Sequence, residues 1–367
     1  MNIFTLTFHR AENYGSVLQA YALNAFLRKM KPEDTVLTID YQNRIQYNMY
    51  RIFSPINSVM DIVRNVHSLL CYSKLKRKHK KFVCFIDDFI PKTDYIQEDS
   101  KALEKIAHDA DYIVCGSDQI WNLHCNDSDE NYLLAFVSDA RKKISYAPSL
   151  SQFDYTSEEV EVFSRYLSDF NRISVREPQS SDYLKSIINR TPEVVVDPVF
   201  LISVEEWSRL STPPSVSGDY ILCYFIGNPE GVRALAKSLS VKYKMPIVIV
   251  LKNLRNIGSG YIKRYDAGPR DFLGLIQNAR LILCTSFHAV AFYLKFHKQF
   301  YVYKGNAKIP NRTKKQIHGK SNLEERILYS DTDAATLTPF DISFEEADKN
   351  INMLRQHSIE YLKSALQ

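Results

Sequence analysis

The sequence predicts an α/β protein with two Rossmann-like domains, whose parallel sheets face a cleft. Apolar, β-rich runs alternate with helical patterns along the chain, which favours parallel sheets. Two such series are present, and a Pro- and Ser-rich stretch at 213–218 separates them. Three short polar segments, at 13–19, 116–122 and 285–289, each follow a strand-like run. Ligands of open α/β sheets collect at such strand ends, so these segments are the first candidates for a site.

The first series opens with a strand at 2–8 and a helix at 16–30, in which Val17 and Tyr21 recur at helical spacing. A single basic helix is predicted over about 57–85. The other strands of this series are predicted at 36–41, 112–115, 144–147, 173–175 and 194–196.

Capping and proline signals mark where helices begin. Thr156 with Glu159 three residues later forms a capping box, and Pro178 suits the first turn of the next helix. Ser343 with Glu346 forms a second capping box before a long final helix. These signals lie between or after the predicted strands, so they support the same alternation.

The second series has helices after Pro229 and Pro269. We therefore predict an N-terminal Rossmann-like domain at 1–198 and a C-terminal one at 199–342. A final helix occupies 343–367, and packing back on the N-terminal domain is one arrangement open to it. The strands of the second series are predicted at 220–225, 246–250, 281–284 and 300–303.

Composition favours a cytoplasmic globular protein. Hydrophobic residues make up 45% and charged residues 24% of the 367-residue chain, which are globular values. The first residues lack the basic start of a signal peptide, and the longest apolar runs have strand length. The six cysteines show no C-x-x-C spacing, which favours reduced thiols and gives no sign of a metal site.

The formal net charge of +5 comes largely from the basic run at 74–81. A solvated helix face is the plain interpretation of such a run. The functional alternative is peripheral contact with an anionic polymer or a membrane, which would put the protein at the inner membrane surface. Nucleic-acid binding has no further support, because no recognition-helix or interleaved aromatic pattern accompanies the run.

Two polar segments of the first series are candidate binding sites. The first follows strand 2–8 at a helix start, where free backbone amides favour a phosphate, a carboxylate or a hydroxyl-rich ligand. A helix start with a glycine turn is its structural alternative. The second follows strand 112–115, where Asp118 suits sugar hydroxyls or, equally well, a turn cap. The candidate residues are Asn13, Gly15, Ser16, Gln19, Gly116, Ser117, Asp118 and Gln119.

His288 is the leading catalytic candidate. It follows strand 281–284 beside Thr285 and Ser286, at a strand-to-helix turn where an imidazole can give and take a proton. Arg176, at the end of strand 173–175, is a candidate fork for a phosphate or carboxylate, with an ion pair to Glu177 as the alternative. Arg312, in a basic loop, is a second candidate for binding an anion.

These segments resemble the polysaccharide pyruvyl transferases. The matching residues run in order from 13 to about 288, so the resemblance covers most of the chain. Each piece is short, but their combination is specific. The matches are N-Y-G-S-V-L-Q at 13–19, G-S-D-Q-I-W-N at 116–122, S-V-R-E at 174–177, V-V-D-P-V-F-L at 195–201, G-P-R-D-F-L at 268–273 and S-F-H at 286–288.

The resemblance implies a glycosyltransferase-B-like pair of domains and a transfer of pyruvate from phosphoenolpyruvate to two sugar hydroxyls, which gives a cyclic ketal. Phosphoenolpyruvate is then a donor substrate, and no cofactor is implied. Arg176 carries over as a donor ligand and His288 as a catalytic residue, and we add Asp118 as a second catalytic candidate.

One position departs from the family pattern. Characterised members resemble R-L-H where this chain has S-F-H, so Ser286 stands where an arginine would grip the donor. A branch of the family shares S-F-H. A serine supplies no charged fork, and two other functions therefore stay open. They are a nucleotide-sugar-dependent glycosyltransferase and a non-catalytic protein that binds anions or sugars.

Overall fold

Strands and helices alternate along the chain in a computed structural model, which confirms the α/β class with parallel sheets. The structure describes residues 1–53, 55–56, 58–226, 231–251, 260–304, 323–330, 332–338, 340 and 342–367, without the side chains of residues 67, 287, 288 and 324. Contacts divide the chain into two units. Unit 1 comprises Met1–Pro55, Cys84–Ile202 and Met353–Gln367, and unit 2 comprises Ile56–Val83 and Ser203–Asn352.

Unit 1 is built on a four-stranded parallel sheet in the order β2-β1-β3-β4. The sheet grows in both directions from β1, so its topological switch point lies between β1 and β3. A separate parallel pair, β5 and β6, completes the strands described in this unit. The strands are β1 (Asn2–Leu6), β2 (Thr35–Thr38), β3 (Tyr112–Cys115), β4 (Lys143–Ser145), β5 (Ser174–Val175) and β6 (Glu193–Val194).

Unit 2 is built on a six-stranded parallel sheet in the order β12-β11-β10-β7-β8-β9. Counted from β7, this is the 3-2-1-4-5-6 order of a Rossmann fold, with the switch point between β7 and β10. Both of these strands are buried along their whole length, as strands covered by helices on both faces must be. The strands are β7 (Ile221–Tyr224), β8 (Ile247–Val250), β9 (Tyr261–Arg264), β10 (Leu281–Cys284), β11 (Phe300–Tyr303) and β12 (Ile327–Leu328).

Helices follow most strands, and the capping box at Thr156 and Glu159 is formed as predicted. The final helix begins at Glu345, so the predicted cap Ser343 lies two residues before it. The helices are α1 (Tyr14–Met30), α2 (Arg44–Met49), α3 (Val59–Leu70), α4 (Tyr72–Phe89), α5 (Ser100–Asp109), α6 (Ser157–Leu167), α7 (Pro178–Ile188), α8 (Val204–Leu210), α9 (Val232–Tyr243), α10 (Pro269–Asn278), α11 (Phe287–Lys295) and α12 (Glu345–Ala365).

The prediction of one helix over 57–85 is wrong, because Cys71 divides it into α3 and α4. The backbone of Cys71 leaves the helical region and its amide closes the last turn of α3. Its carbonyl oxygen then accepts hydrogen bonds from the amides of Lys74 and Leu75, at 3.0 and 3.1 Å, and so starts α4. No proline or glycine marks this break, so the sequence pattern runs through it.

Candidate functional site

The polar segments at 13–19 and 116–122 meet at the switch point of the unit 1 sheet. The Ser16 hydroxyl donates a hydrogen bond to the Asp118 carboxylate. The Gln19 amide nitrogen donates to the Thr7 hydroxyl at 2.9 Å, and the Gln19 amide oxygen accepts from the Ser117 backbone amide at 3.1 Å. Gln19 and Ser117 are fully buried. These bonds therefore fix the loop after β3 against the start of α1.

The carboxylate of Asp118 lies at the start of α1. Asn13 is the N-cap residue, and its side-chain oxygen accepts from the Gly15 amide at 3.0 Å. Asp118, which bonds to Ser16 in the first turn, brings a carboxylate to the end of the helix that favours negative charge. A ligand at the predicted site would therefore lie beside the carboxylate of Asp118.

Close backbone packing shapes the loop after β3. A Cβ atom on Gly116 would lie 2.0 Å from the Tyr146 carbonyl oxygen, and the backbone there has a φ of +129°, so glycine is required. The Ser117 hydroxyl donates to the Ala147 carbonyl oxygen at 2.8 Å. Gln119 is half-buried, and its side-chain oxygen accepts from the Asn122 amide at 3.2 Å. Of the four predicted residues in this loop, Asp118 and Gln119 carry the side-chain groups that suit a polar ligand.

Arg176 forms an ion pair with Glu177, which the sequence analysis gave as the structural alternative to binding an anion. Its guanidinium is buried and lies 2.9 Å from the Glu177 carboxylate and 3.0 Å from the Asp197 carboxylate. Burial alone would lower the Arg176 pKa, but these carboxylates, with Asp118 nearby, hold the pKa above its ordinary value. The guanidinium therefore stays charged and orders the end of β5. Its binding of a donor remains a prediction.

The structure adds a polar cluster that the sequence analysis missed. His9 and Arg10 follow β1, and both contact Asp40, which follows β2. The distance between the His9 Nε2 atom and the Asp40 carboxylate is 2.9 Å, and Arg10 grips the same carboxylate with two hydrogen bonds of 2.5 Å. Arg10 also stacks over the Tyr95 ring at 4.9 Å. The cluster lies at the carboxyl ends of the strands, where sites of such sheets form.

We expect Asp40→Asn to destabilise unit 1 in a pH-dependent way. Burial raises the pKa of Asp40, but hydrogen bonds from Arg10 and His9 outweigh this and lower it. A depressed pKa stabilises the folded state above the usual carboxyl pKa of about 4 and loses that effect as the pH falls. Removing one member of a buried pair costs about 3 kcal/mol. Urea unfolding should therefore show a large loss at pH 7 that shrinks below about pH 4.

The matched control is Asp139→Asn, which removes the half-buried carboxylate that pairs with the exposed Arg141. Exposed ion pairs contribute little, so this variant should unfold like the parent protein. Equal stability of Asp40→Asn and the parent at pH 7 would show that the cluster is dispensable.

Segment 285–289 lies at the switch point of the unit 2 sheet, directly after β10. The Thr285 hydroxyl accepts from the Ile226 amide at 2.7 Å and donates to the Ile226 carbonyl oxygen at 3.1 Å, which ties it to the loop after β7. Ser286 is buried at the N-cap position of α11 and makes no side-chain cap bond there. His288 is the second residue of α11. Its side chain, like all of Arg312, is outside the described residues.

Unit 2 also contains a cavity of about 260 Å³ beside the start of α9. A Cβ atom on Gly231 would lie 2.7 Å from the Tyr303 hydroxyl, so glycine here keeps α9 close to the end of β11.

In the described part of the chain, no group of three or more His, Cys, Asp or Glu residues could hold a metal ion. No described helix is both long and apolar enough to cross a membrane.

The solved structures most similar in fold include several UDP-N-acetylglucosamine 2-epimerases. One such epimerase has a TM-score of 0.57 at 9% identity, with 100% of this chain and 95% of that chain covered. The enzyme of Methanocaldococcus jannaschii has a TM-score of 0.53 at 13% identity, covering 97% and 93%. That of Rickettsia bellii has a TM-score of 0.51 at 9% identity, covering 99% and 96%. At these identities the likeness shows the fold, which is glycosyltransferase-B-like.

Sequence comparison identifies the family. A search of curated proteins gives no significant match. The family model described as polysaccharide pyruvyl transferase matches residues 13–304, which is most of the chain. This range includes the switch-point segments of both sheets, together with Arg176. The chain therefore belongs to the polysaccharide pyruvyl transferase family.

Proposed function

We propose that this protein transfers pyruvate from phosphoenolpyruvate to two hydroxyls of a sugar in a polysaccharide or its precursor, forming a cyclic ketal. The strongest support is that three of its six family-matching segments, 13–19, 116–122 and 286–288, lie at the switch points of the two sheets. Loops at such points carry the ligand sites of open α/β sheets. The acceptor class follows from the family, and the donor and the ketal chemistry are our proposal.

In the proposed reaction His288 donates a proton to the methylene carbon of phosphoenolpyruvate. The neighbouring carbon becomes electrophilic, and one sugar hydroxyl adds to it. Inorganic phosphate then leaves, and the second hydroxyl closes the ketal. Of the two protons released by the hydroxyls, one returns to His288 and the other leaves with the phosphate. Proton transfer by a positioned side chain accelerates such steps by about a hundred- to ten-thousandfold. Asp118 is proposed to accept a hydrogen bond from the acceptor, as it does from the Ser16 hydroxyl in the structure.

Anion binding is assigned to several groups because Ser286 brings no charge. Arg312 and Lys304 are proposed to contact the donor phosphate, with Arg176 ordering the end of β5. The buried hydroxyl of Ser286 and the start of α11 would face the donor carboxylate. Asn13, Gly15, Ser16 and Gln119 complete the proposed acceptor side. We further propose that the protein works in the cytoplasm, with the basic segment 74–81 at the inner membrane surface.

A ligand panel distinguishes this function from its alternatives. The melting temperature is measured with phosphoenolpyruvate, UDP-N-acetylglucosamine or inorganic phosphate, each over a concentration series. A ligand present at a hundred times its dissociation constant stabilises the folded state by about 2.7 kcal/mol. We expect phosphoenolpyruvate to stabilise at lower concentrations than phosphate does. Stabilisation by the UDP-sugar alone would instead favour a nucleotide-sugar glycosyltransferase.

A further inference from the structure

Helix α3 presents its apolar side outward. Seven apolar side chains along it are between 48% and 79% exposed. They recur at helical spacing and form one continuous stripe. On the opposite side of the helix, Ser68 is buried and the Asp61 side chain is only 15% exposed, whereas Arg64 is exposed at 65% beside the apolar residues. The stripe comprises Val59, Met60, Ile62, Val63, Val66, Leu69 and Leu70.

This orientation is the reverse of what water favours. A surface helix normally buries its apolar stripe in the core and leaves its polar side in solvent. A contiguous exposed apolar surface of this kind marks a site of contact with another protein or a membrane. We therefore expect the stripe to contact an apolar partner outside the chain.

The charges around the stripe indicate which partner. Residues 58–89, which include α3 and α4, carry seven Lys or Arg and three Asp, so that most of the net charge of the chain is here. Arg77 and Lys81 pair with Asp266 and Asp271 at 2.9 and 2.7 Å. Lys76 and Lys80 are exposed, and no described carboxylate pairs with either. An anionic surface would complement these two lysines.

We propose that α3 docks in the interface of an anionic lipid bilayer, with its apolar stripe among the lipids and the lysines of α4 near the headgroups. An amphipathic helix beside a basic segment is the combination that binds such membranes reversibly. With twelve residues, α3 is about 18 Å long, so it lies in the interface and does not span the bilayer.

A second copy of the chain is the weaker candidate for the partner. A twofold dimer through this stripe would bring the same basic segment of both copies together. Like charges would then oppose the association, whereas anionic lipids gain from the same charges. The lysines thus favour the membrane over self-association.

The test is co-sedimentation of the full-length protein with phosphatidylcholine vesicles that contain or lack phosphatidylglycerol. The parent protein should bind the anionic vesicles at least tenfold more tightly than the neutral ones. Val63→Glu, at the centre of the stripe, should weaken binding to anionic vesicles by about tenfold or more. The matched control is Val241→Glu, at a still more exposed valine on α9, and this variant should bind like the parent. Replacing Lys76 or Lys80 by Gln should weaken binding to anionic vesicles by roughly fivefold for each lysine.

Folding of Val63→Glu is checked by its melting temperature, which should equal that of the parent because Val63 is more than half exposed. Absence of parent binding to anionic vesicles would overturn the proposal. An equal loss of binding to anionic vesicles in Val63→Glu and Val241→Glu would also overturn it. If the parent instead sediments as a dimer that Val63→Glu dissociates, without binding vesicles, the stripe is a contact between copies and the membrane assignment is wrong.

Discussion

Replacing His288 by asparagine is expected to lower kcat for pyruvyl transfer by about a hundredfold or more, while the melting temperature and the affinity for phosphoenolpyruvate stay the same. His288 is the second residue of α11, next to the switch point of the unit 2 sheet, where the ligands of open α/β sheets bind. Asparagine is polar and of similar size, but its amide cannot transfer a proton near neutral pH. Steady-state kinetics and thermal unfolding of the same preparations measure both quantities.

The matched control is His297→Asn, at the other end of α11. His297 has a positive φ of 50°, which asparagine tolerates, and its exposed ring pairs with Asp348 at 2.9 Å. This variant should keep full activity. Near-normal pyruvyl transfer by well-folded His288→Asn protein would show that His288 is not the proton donor, and the proposed mechanism would then be wrong.

Replacing Arg176 by alanine is expected to lower the free energy of unfolding by about 3–5 kcal/mol, because it leaves the buried Glu177 and Asp197 carboxylates without their cation. Denaturant unfolding measures this loss. Arg141→Ala, which removes an exposed arginine from its pair with Asp139, is the control and should leave the melting temperature unchanged. An unaltered stability of Arg176→Ala would contradict the structural role of the ion pair.

The same variant separates the two roles of Arg176. Phosphoenolpyruvate affinity is measured by calorimetry well below the melting temperature, where the variant is still folded. A donor ligand predicts a loss of at least tenfold in affinity, because a charge-assisted contact contributes about 1.5–3 kcal/mol. Unchanged affinity would leave Arg176 with its structural role alone.

The sheets were largely predictable because buried parallel strands are continuous apolar runs. The bounds of β3, β10 and β11 agree with the prediction for this reason. The strand β9 was missed because it is partly exposed and ends in Lys263 and Arg264, which interrupt the apolar pattern. The two-residue strand β12 was also missed.

The sequence could name residues of the candidate site one by one, but it could not give the contacts between them. Ser16 and Asp118 were each named because each lies in a short polar segment after a strand. The contact of His9 and Arg10 with Asp40 arises only when β1 pairs with β2, about 30 residues apart. Polar residues directly after both strands were the available signal. The outward stripe of α3 has the same periodicity as a core-facing helix, so only the observed exposure distinguishes the two.

The central claim is tested most directly by following phosphoenolpyruvate labelled with ¹³C at its second carbon. The protein is incubated with the labelled donor and a saccharide extract of its source cells, and the products are examined by NMR. We predict a labelled ketal carbon attached to saccharide and an equal amount of released phosphate, both strongly reduced with His288→Asn. Label that remains in phosphoenolpyruvate or appears only as free pyruvate, with no saccharide ketal, would contradict pyruvyl transfer.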